Sequence, residues 1–118
     1  MASINDLLER MKQRSKDAKD RIQETDPGPL PEPPLDDFIE DLDDYIDKGN
    51  DVLNDSAVPT PVPTLTLPSG LTLWELVEYC IDDVEAALVT SDMNVVAQHV
   101  TRGLQAAADA KDIANNGP

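Results

Sequence analysis

Residues 71–88, LTLWELVEYCIDDVEAAL, and residues 93–114, MNVVAQHVTRGLQAAADAKDIA, decide the fold class. In the first, Trp74, Val77, Cys80, Ile81, Val84, Ala87 and Leu88 recur at helical spacing and predict one apolar face. Thr72 with Glu75 makes a capping box, and Leu71 with Leu76 stands at hydrophobic-staple spacing, so the helix starts there. In the second, Met93, Val96, Val100, Gly103, Leu104, Ala107, Ala110, Ile113 and Ala114 form another such face. Thr90-Ser91-Asp92 is a short break rich in capping residues, so the two helices form an antiparallel hairpin core over 71–114. Small residues at Gly103, Ala106, Ala107 and Ala110 permit close backbone approach. Asn115-Asn-Gly-Pro118 stops the second helix and predicts a frayed tail at 115–118.

Upstream, Ser56–Gly70 combines prolines at 59, 61 and 63 with Val58, Val62, Leu65 and Leu67. Linkers are usually polar, so an apolar extended segment over 56–70 is expected to lie against the bundle or a partner. Thr64-Leu-Thr-Leu67 has the composition of one short edge strand. Before it, residues 35–55 read as an acidic helix with Leu35, Phe38, Ile39, Leu42, Ile46, Val52 and Leu53 on one face. Its opposite face is almost entirely Asp and Glu, and Gly49-Asn50 predicts a kink or an early end. Residues 26–34 are a proline-rich linker of polyproline II character. Its Pro31-Glu-Pro-Pro34 matches the short P-x-x-P pattern, which is nearly automatic in such a segment.

Residues 1–25 read as an N-terminal amphipathic helix with Ser3 as its cap. Ile4, Leu8, Met11, Ser15, Ala18 and Ile22 follow heptad spacing, with polar Ser15 breaking the apolar stripe. A stripe this narrow, behind a stiff spacer, predicts a tethered docking helix outside the core. The fold class expected is therefore all-α: a helical hairpin packed with an acidic helix, plus a tethered N-terminal helix and two proline-rich extended linkers. The linkers leave roughly 65–70 residues for the packed core, a size that is marginal alone.

The chain of 118 residues carries 24 acids against nine Lys and Arg, a net charge of −15. That average field repels nucleic acid and anionic membrane, so direct binding to either is not expected. The charge is uneven. Arg10, Lys12, Arg14, Lys16, Lys19 and Arg21 hold six of the nine cations, whereas residues 26–55 hold Lys48 alone among their acids. One cysteine excludes an intrachain disulfide and suits a reducing compartment. Met1–Arg14 lacks the apolar run of a secretory signal. No apolar run approaches the ~20 residues of a membrane span. The expected location is cytoplasmic, or within a particle assembled inside the cell.

For chemistry, Asp43-Asp44-Tyr-Ile-Asp47-Lys-Gly49 superficially matches a calcium loop. Aligning Gly49 as the turn glycine puts Ile46 and Lys48 where oxygen ligands are needed, so the match fails. Cys80 is flanked by apolar positions and predicts a core thiol. Ala97-Gln-His99-Val-Thr-Arg102-Gly103 resembles the phosphorylation site of histidine phosphotransfer domains. The resemblance implies an exposed phosphoryl-accepting His99, a phosphate-stabilising Arg102 and a Gly103 that gives partners access. Thr101 and Leu104 depart from that pattern. A bland reading leaves His99 at the helix surface and Gly103 as a packing residue.

No enzyme site, cofactor, metal or small-molecule substrate is expected. The function expected is a non-enzymatic adaptor or assembly protein, such as a structural component of a virion, serving a protein partner or a second copy. Ile4, Leu7, Leu8, Met11, Ile22, Val62, Leu65 and Leu67 are the expected contact residues. The alternative is an acidic nucleic-acid mimic that inhibits a DNA- or RNA-binding protein through the carboxylates of the middle helix.

Overall fold

Ser3 and Thr72 cap the helices that the sequence places after them. Ser3 Oγ accepts the Asp6 backbone N–H at 3.1 Å. Thr72 and Glu75 exchange bonds of 3.1 and 2.9 Å in a complete capping box. A computed structural model describes residues 3–22, 36–59 and 65–116. Among them are four helices: α1 (Ile4–Ile22), α2 (Asp36–Leu53), α3 (Leu73–Leu88) and α4 (Met93–Asn116). The protein is a small all-α bundle, and the described residues include no strand: Leu65–Leu67 has no regular structure, and Thr64 lies outside the described residues. The 26–34 linker and Val62 lie outside the described residues.

α1 packs against α2 and α3, α4 packs against the same two, and the diagonals make little contact. Ion pairs give the directions. Arg10 meets Asp44 while Arg21 meets Asp37, so α1 and α2 are antiparallel. Lys12 meets Glu85 while Lys19 meets Glu78, so α1 and α3 are antiparallel too. α2 and α3 therefore run parallel across a diagonal. The chain leaving Leu53 must travel the length of the bundle to enter α3 at its far end. A helix of 18 residues is about 27 Å long, which explains why this connection is long. Val58 is buried and Leu67 packs on the core, so the described parts of the connection lie against the bundle.

The tethered placement expected for α1 is corrected here: the helix is a full member of the bundle. Leu8, Met11, Ser15, Ala18 and Ile22 are all at most 1% exposed. The stripe is narrow because Ser15 and Ala18 are small and let α1 approach closely. Ser15 costs nothing as a polar group, since its hydroxyl donates to the Lys12 carbonyl at 2.9 Å. Burying Leu8, Met11 and Ile22 contributes about 1.5–3 kcal/mol each. The sum is comparable to the whole stability of a small domain, about 5–15 kcal/mol.

α2 also departs from expectation at Gly49, which does not end it. The helix runs on to Leu53, and the Leu104 side chain fills the space where a Gly49 Cβ would stand, with Met11 beside it. Trp74 and Leu88 are half-buried at the edge of the core rather than inside it. Lys19 Nζ sits 5.1 Å above the Trp74 ring. Two carboxylates do enter the core: Asp41 is 2% exposed and Asp83 is fully buried.

Candidate functional site

Asp83 on α3 and His99 and Arg102 on α4 form one cluster. His99 and Arg102 are three residues apart, so both face α3. Arg102 donates Nη2 to Asp83 Oδ1 at 2.8 Å and Nε to Oδ2 at 3.1 Å. His99 Nδ1 lies 2.9 Å from Asp83 Oδ1. An ionised carboxylate only accepts, so Nδ1 is the protonated nitrogen of this contact. Arg102 also stacks 5.1 Å over the Tyr79 ring. The hydrogen bond to Asp83 raises the guanidinium further above its ordinary range. The arrangement neutralises a buried charge, which otherwise carries a large desolvation cost.

Gly103 faces α2. The Tyr45 hydroxyl occupies the position of its missing Cβ and donates to the Cys80 carbonyl at 2.8 Å. Burial raises the Tyr45 pKa well above its ordinary value. Cys80 is fully buried, its Sγ 3.6 Å from the Gly103 carbonyl. Burial pushes its thiol well above the ordinary range, so the thiolate is inaccessible. His99, Arg102 and Gly103 of the phosphotransfer-like run thus each have an internal partner: His99 and Arg102 hold Asp83, and Gly103 accommodates Tyr45. Spacing along α4 reveals the triplet, but Asp83 and Tyr45 are supplied by other helices.

The expected contact residues separate. Leu8, Met11 and Ile22 are core residues, so they are corrected from an exposed docking face to bundle packing. Ile4 and Leu7 are half-buried against that core. Leu67 packs on it too, while Leu65 lines a shallow groove of about 350 Å³ with Asn94, Val95, Gln98 and His99. Among the described residues, Val89 and Val95 are the exposed large hydrophobics.

Charge dominates the remaining surface. The cations of α1 pair with acids of the two neighbouring helices along both seams: Arg10, Arg14 and Arg21 bind Asp44, Asp41 and Asp37, and Lys19 binds Glu78. Burial opposes ionisation of Asp44, but hydrogen bonds from Arg14 and Arg10 outweigh it and lower its pKa. Asp82 moves upward, first through burial and then through Glu78, Glu85 and Asp83 nearby. On the outer side of α2, Asp36, Glu40, Asp43, Asp47 and Asp51 are all exposed. Lys111 meets Asp43 and Lys48 meets Asp47, while no cation of the described residues pairs with Asp36, Glu40 or Asp51. The acids of the calcium-like stretch are helical and point apart. Among the described residues no group of three His, Cys, Asp or Glu side chains is placed to hold a metal. No described helix is long and apolar enough to cross a membrane. No protein family, curated protein or solved structure matches the chain.

Proposed function

We propose that the chain is a non-enzymatic adaptor that binds a protein partner bearing a basic surface, as one subunit of a larger assembly. The observation supporting this reading is the outer row of α2. Asp36, Glu40, Asp43, Asp47 and Asp51 present carboxylates at intervals of three or four residues, about one helical turn each. The cations of α1 pair with Asp41, Asp44 and Glu78 at the helix seams and leave that row to itself. A rigid row with a net negative charge, its Asp43 and Asp47 paired but Asp36, Glu40 and Asp51 without a cation among the described residues, raises association rates with an oppositely charged partner and rejects like-charged ones.

The experiment is capture of the partner from native extract by the full chain, beside a variant carrying Asp36→Lys, Glu40→Lys, Asp47→Lys and Asp51→Lys. The reading expects the variant to lose the partner, and the parent to release it as salt rises. Retention by the variant, or indifference to salt, sinks it. The regular spacing of the row also favours the second reading, nucleic-acid mimicry. A carboxylate every 5–6 Å of helix axis is of the order of the phosphate repeat, about 3.4 Å per strand. Competition by duplex DNA or RNA for the captured partner is the outcome that reading requires.

A further inference from the structure

α1 sits in the groove between α2 and α3 with charge matched on both walls. Arg14 and Arg21 hold Asp41 at 3.1 and 3.3 Å on the α2 side. Lys19 holds Glu78 at 3.1 Å on the α3 side. Asp41 is 2% exposed, and both of its cationic partners come from α1. Leu8, Met11 and Ile22 are buried to within 1%, so an empty groove would bare an equally apolar floor. The groove needs an occupant with a basic-flanked apolar stripe, and α1 has that pattern.

Nothing in those contacts requires α1 to come from the same chain. Residues 23–35 join it to α2, thirteen residues of which Pro27, Pro29, Pro31, Pro33 and Pro34 are five. Antiparallel neighbours in a bundle are ordinarily joined by about 2–8 residues across a gap of about 8–10 Å. Thirteen residues of proline-rich chain reach up to about 40 Å, enough to enter the groove of an abutting copy. A connection longer than its gap also lowers the effective concentration that favours closure within one chain.

We propose that the α2–α3 groove is a receptor site for α1 of a second copy, giving a reciprocal exchange dimer. The groove contacts are identical in monomer and dimer, so they cancel. Linker entropy, protein concentration and repulsion between two bodies of net charge −15 decide the balance. Salt screens that repulsion, so the dimer fraction rises with salt. Binding of a basic partner to the outer row of α2 falls with salt, so the two ideas fail separately.

A charge-swapped pair of full chains tests the exchange. One variant carries Arg14→Glu and Arg21→Glu, leaving an acidic arm above an acidic groove. The other carries Asp41→Arg and Asp44→Arg, leaving a basic arm above a basic groove. Each is mismatched alone, whereas reciprocal exchange matches both. After co-refolding, native mass spectrometry is expected to show a one-to-one heterodimer with a restored cooperative melt. A mixture that equals the sum of its parts counts against exchange. Because both variants could fail to fold, light and isotopically heavy parent chains are co-refolded at about 1 mM, the scale of linker effective concentrations. A mixed-mass dimer that forms on refolding, and scrambles slowly when native chains are mixed, is expected. A monomer at that concentration and high salt, or a dimer that scrambles within seconds of native mixing, overturns the proposal.

Discussion

Gly103→Ala isolates the most exacting contact in the bundle. Gly103 is buried in the middle of α4, with the Tyr45 hydroxyl where a methyl would go. On an exposed helix, alanine would be favoured over glycine by about 1 kcal/mol. Here the added methyl must displace a fully buried ring, and overpacking of that kind costs about 1–3 kcal/mol. Displacement also breaks the 2.8 Å bond to the Cys80 carbonyl, and a buried hydroxyl without a partner costs about 1–3 kcal/mol. The net expectation is a loss of about 1–5 kcal/mol. For a domain of this size that is a fall in Tm of very roughly 4–20 °C. A cycle with Tyr45→Phe gives the decisive number. Removing the hydroxyl alone loses one hydrogen bond, about 1 kcal/mol, but in the Gly103→Ala background it removes the obstruction. The double variant should be more stable than Gly103→Ala alone, measured by urea unfolding monitored through circular dichroism. A Gly103→Ala protein as stable as the parent, or a Tyr45→Phe change that worsens both backgrounds equally, would refute the reasoning.

Replacing Arg14 and Arg21 by Met strands buried Asp41 without a cation and should lower stability; adding Asp41→Leu should recover most of the loss in the same unfolding assay. Deleting residues 1–22 uncovers the core beneath Leu8, Met11 and Ile22, so the truncated chain should lose its cooperative thermal transition. The two perturbed aspartates have opposite pH signatures. Asp44 has a folded pKa below the ordinary 3.8. Its stabilisation is therefore complete above that value and lost as pH falls through the folded pKa. Asp44→Asn should lower Tm at pH 7 and match the parent in strong acid. Asp82 has a folded pKa above 3.8, so its carboxylate is a burden at pH 7 that acid relieves. Asp82→Asn should raise Tm at pH 7, with the gain shrinking as pH drops through the folded pKa.

Local signals were readable where the chemistry is local. Thr72 with Glu75 needs only a spacing of three, and the α3 start stands where that box puts it. The apolar character of 56–70 likewise marked a segment that lies on something, and Val58 and Leu67 do. The parallel placement of α2 and α3 that demands such a segment has no mark in the sequence. The stripe of α1 misleads because its width reflects side-chain size as well as burial. Ser15 and Ala18 narrow the stripe and at the same time bring the helices closer. The better clue was electrostatic: six cations before residue 25, followed by a nearly uninterrupted acidic stretch, describe two surfaces made for each other. The His99, Arg102 and Gly103 triplet was visible at its spacing. Its roles depend on Asp83 and Tyr45, which only tertiary packing brings near.

The diagonal pairing has a mechanical consequence. α1 and α4 run parallel, so Ser3 lies at one end of the bundle and the last turn of α4 at the other. Tension applied between those points loads the helix interfaces in shear along their whole length. In an up-and-down bundle whose ends share one face, the same tension would peel a terminal helix away one turn at a time. Sliding α1 out requires its apolar stripe and both rows of ion pairs to give way together, which calls for a higher rupture force. Single-molecule pulling from the two helix ends should show one high-force event. Pulling between Ser3 and the end of α2 at Leu53, which lie at the same end of the antiparallel pair and so unzip it, should rupture at lower force; equal forces in the two geometries would contradict the shear picture.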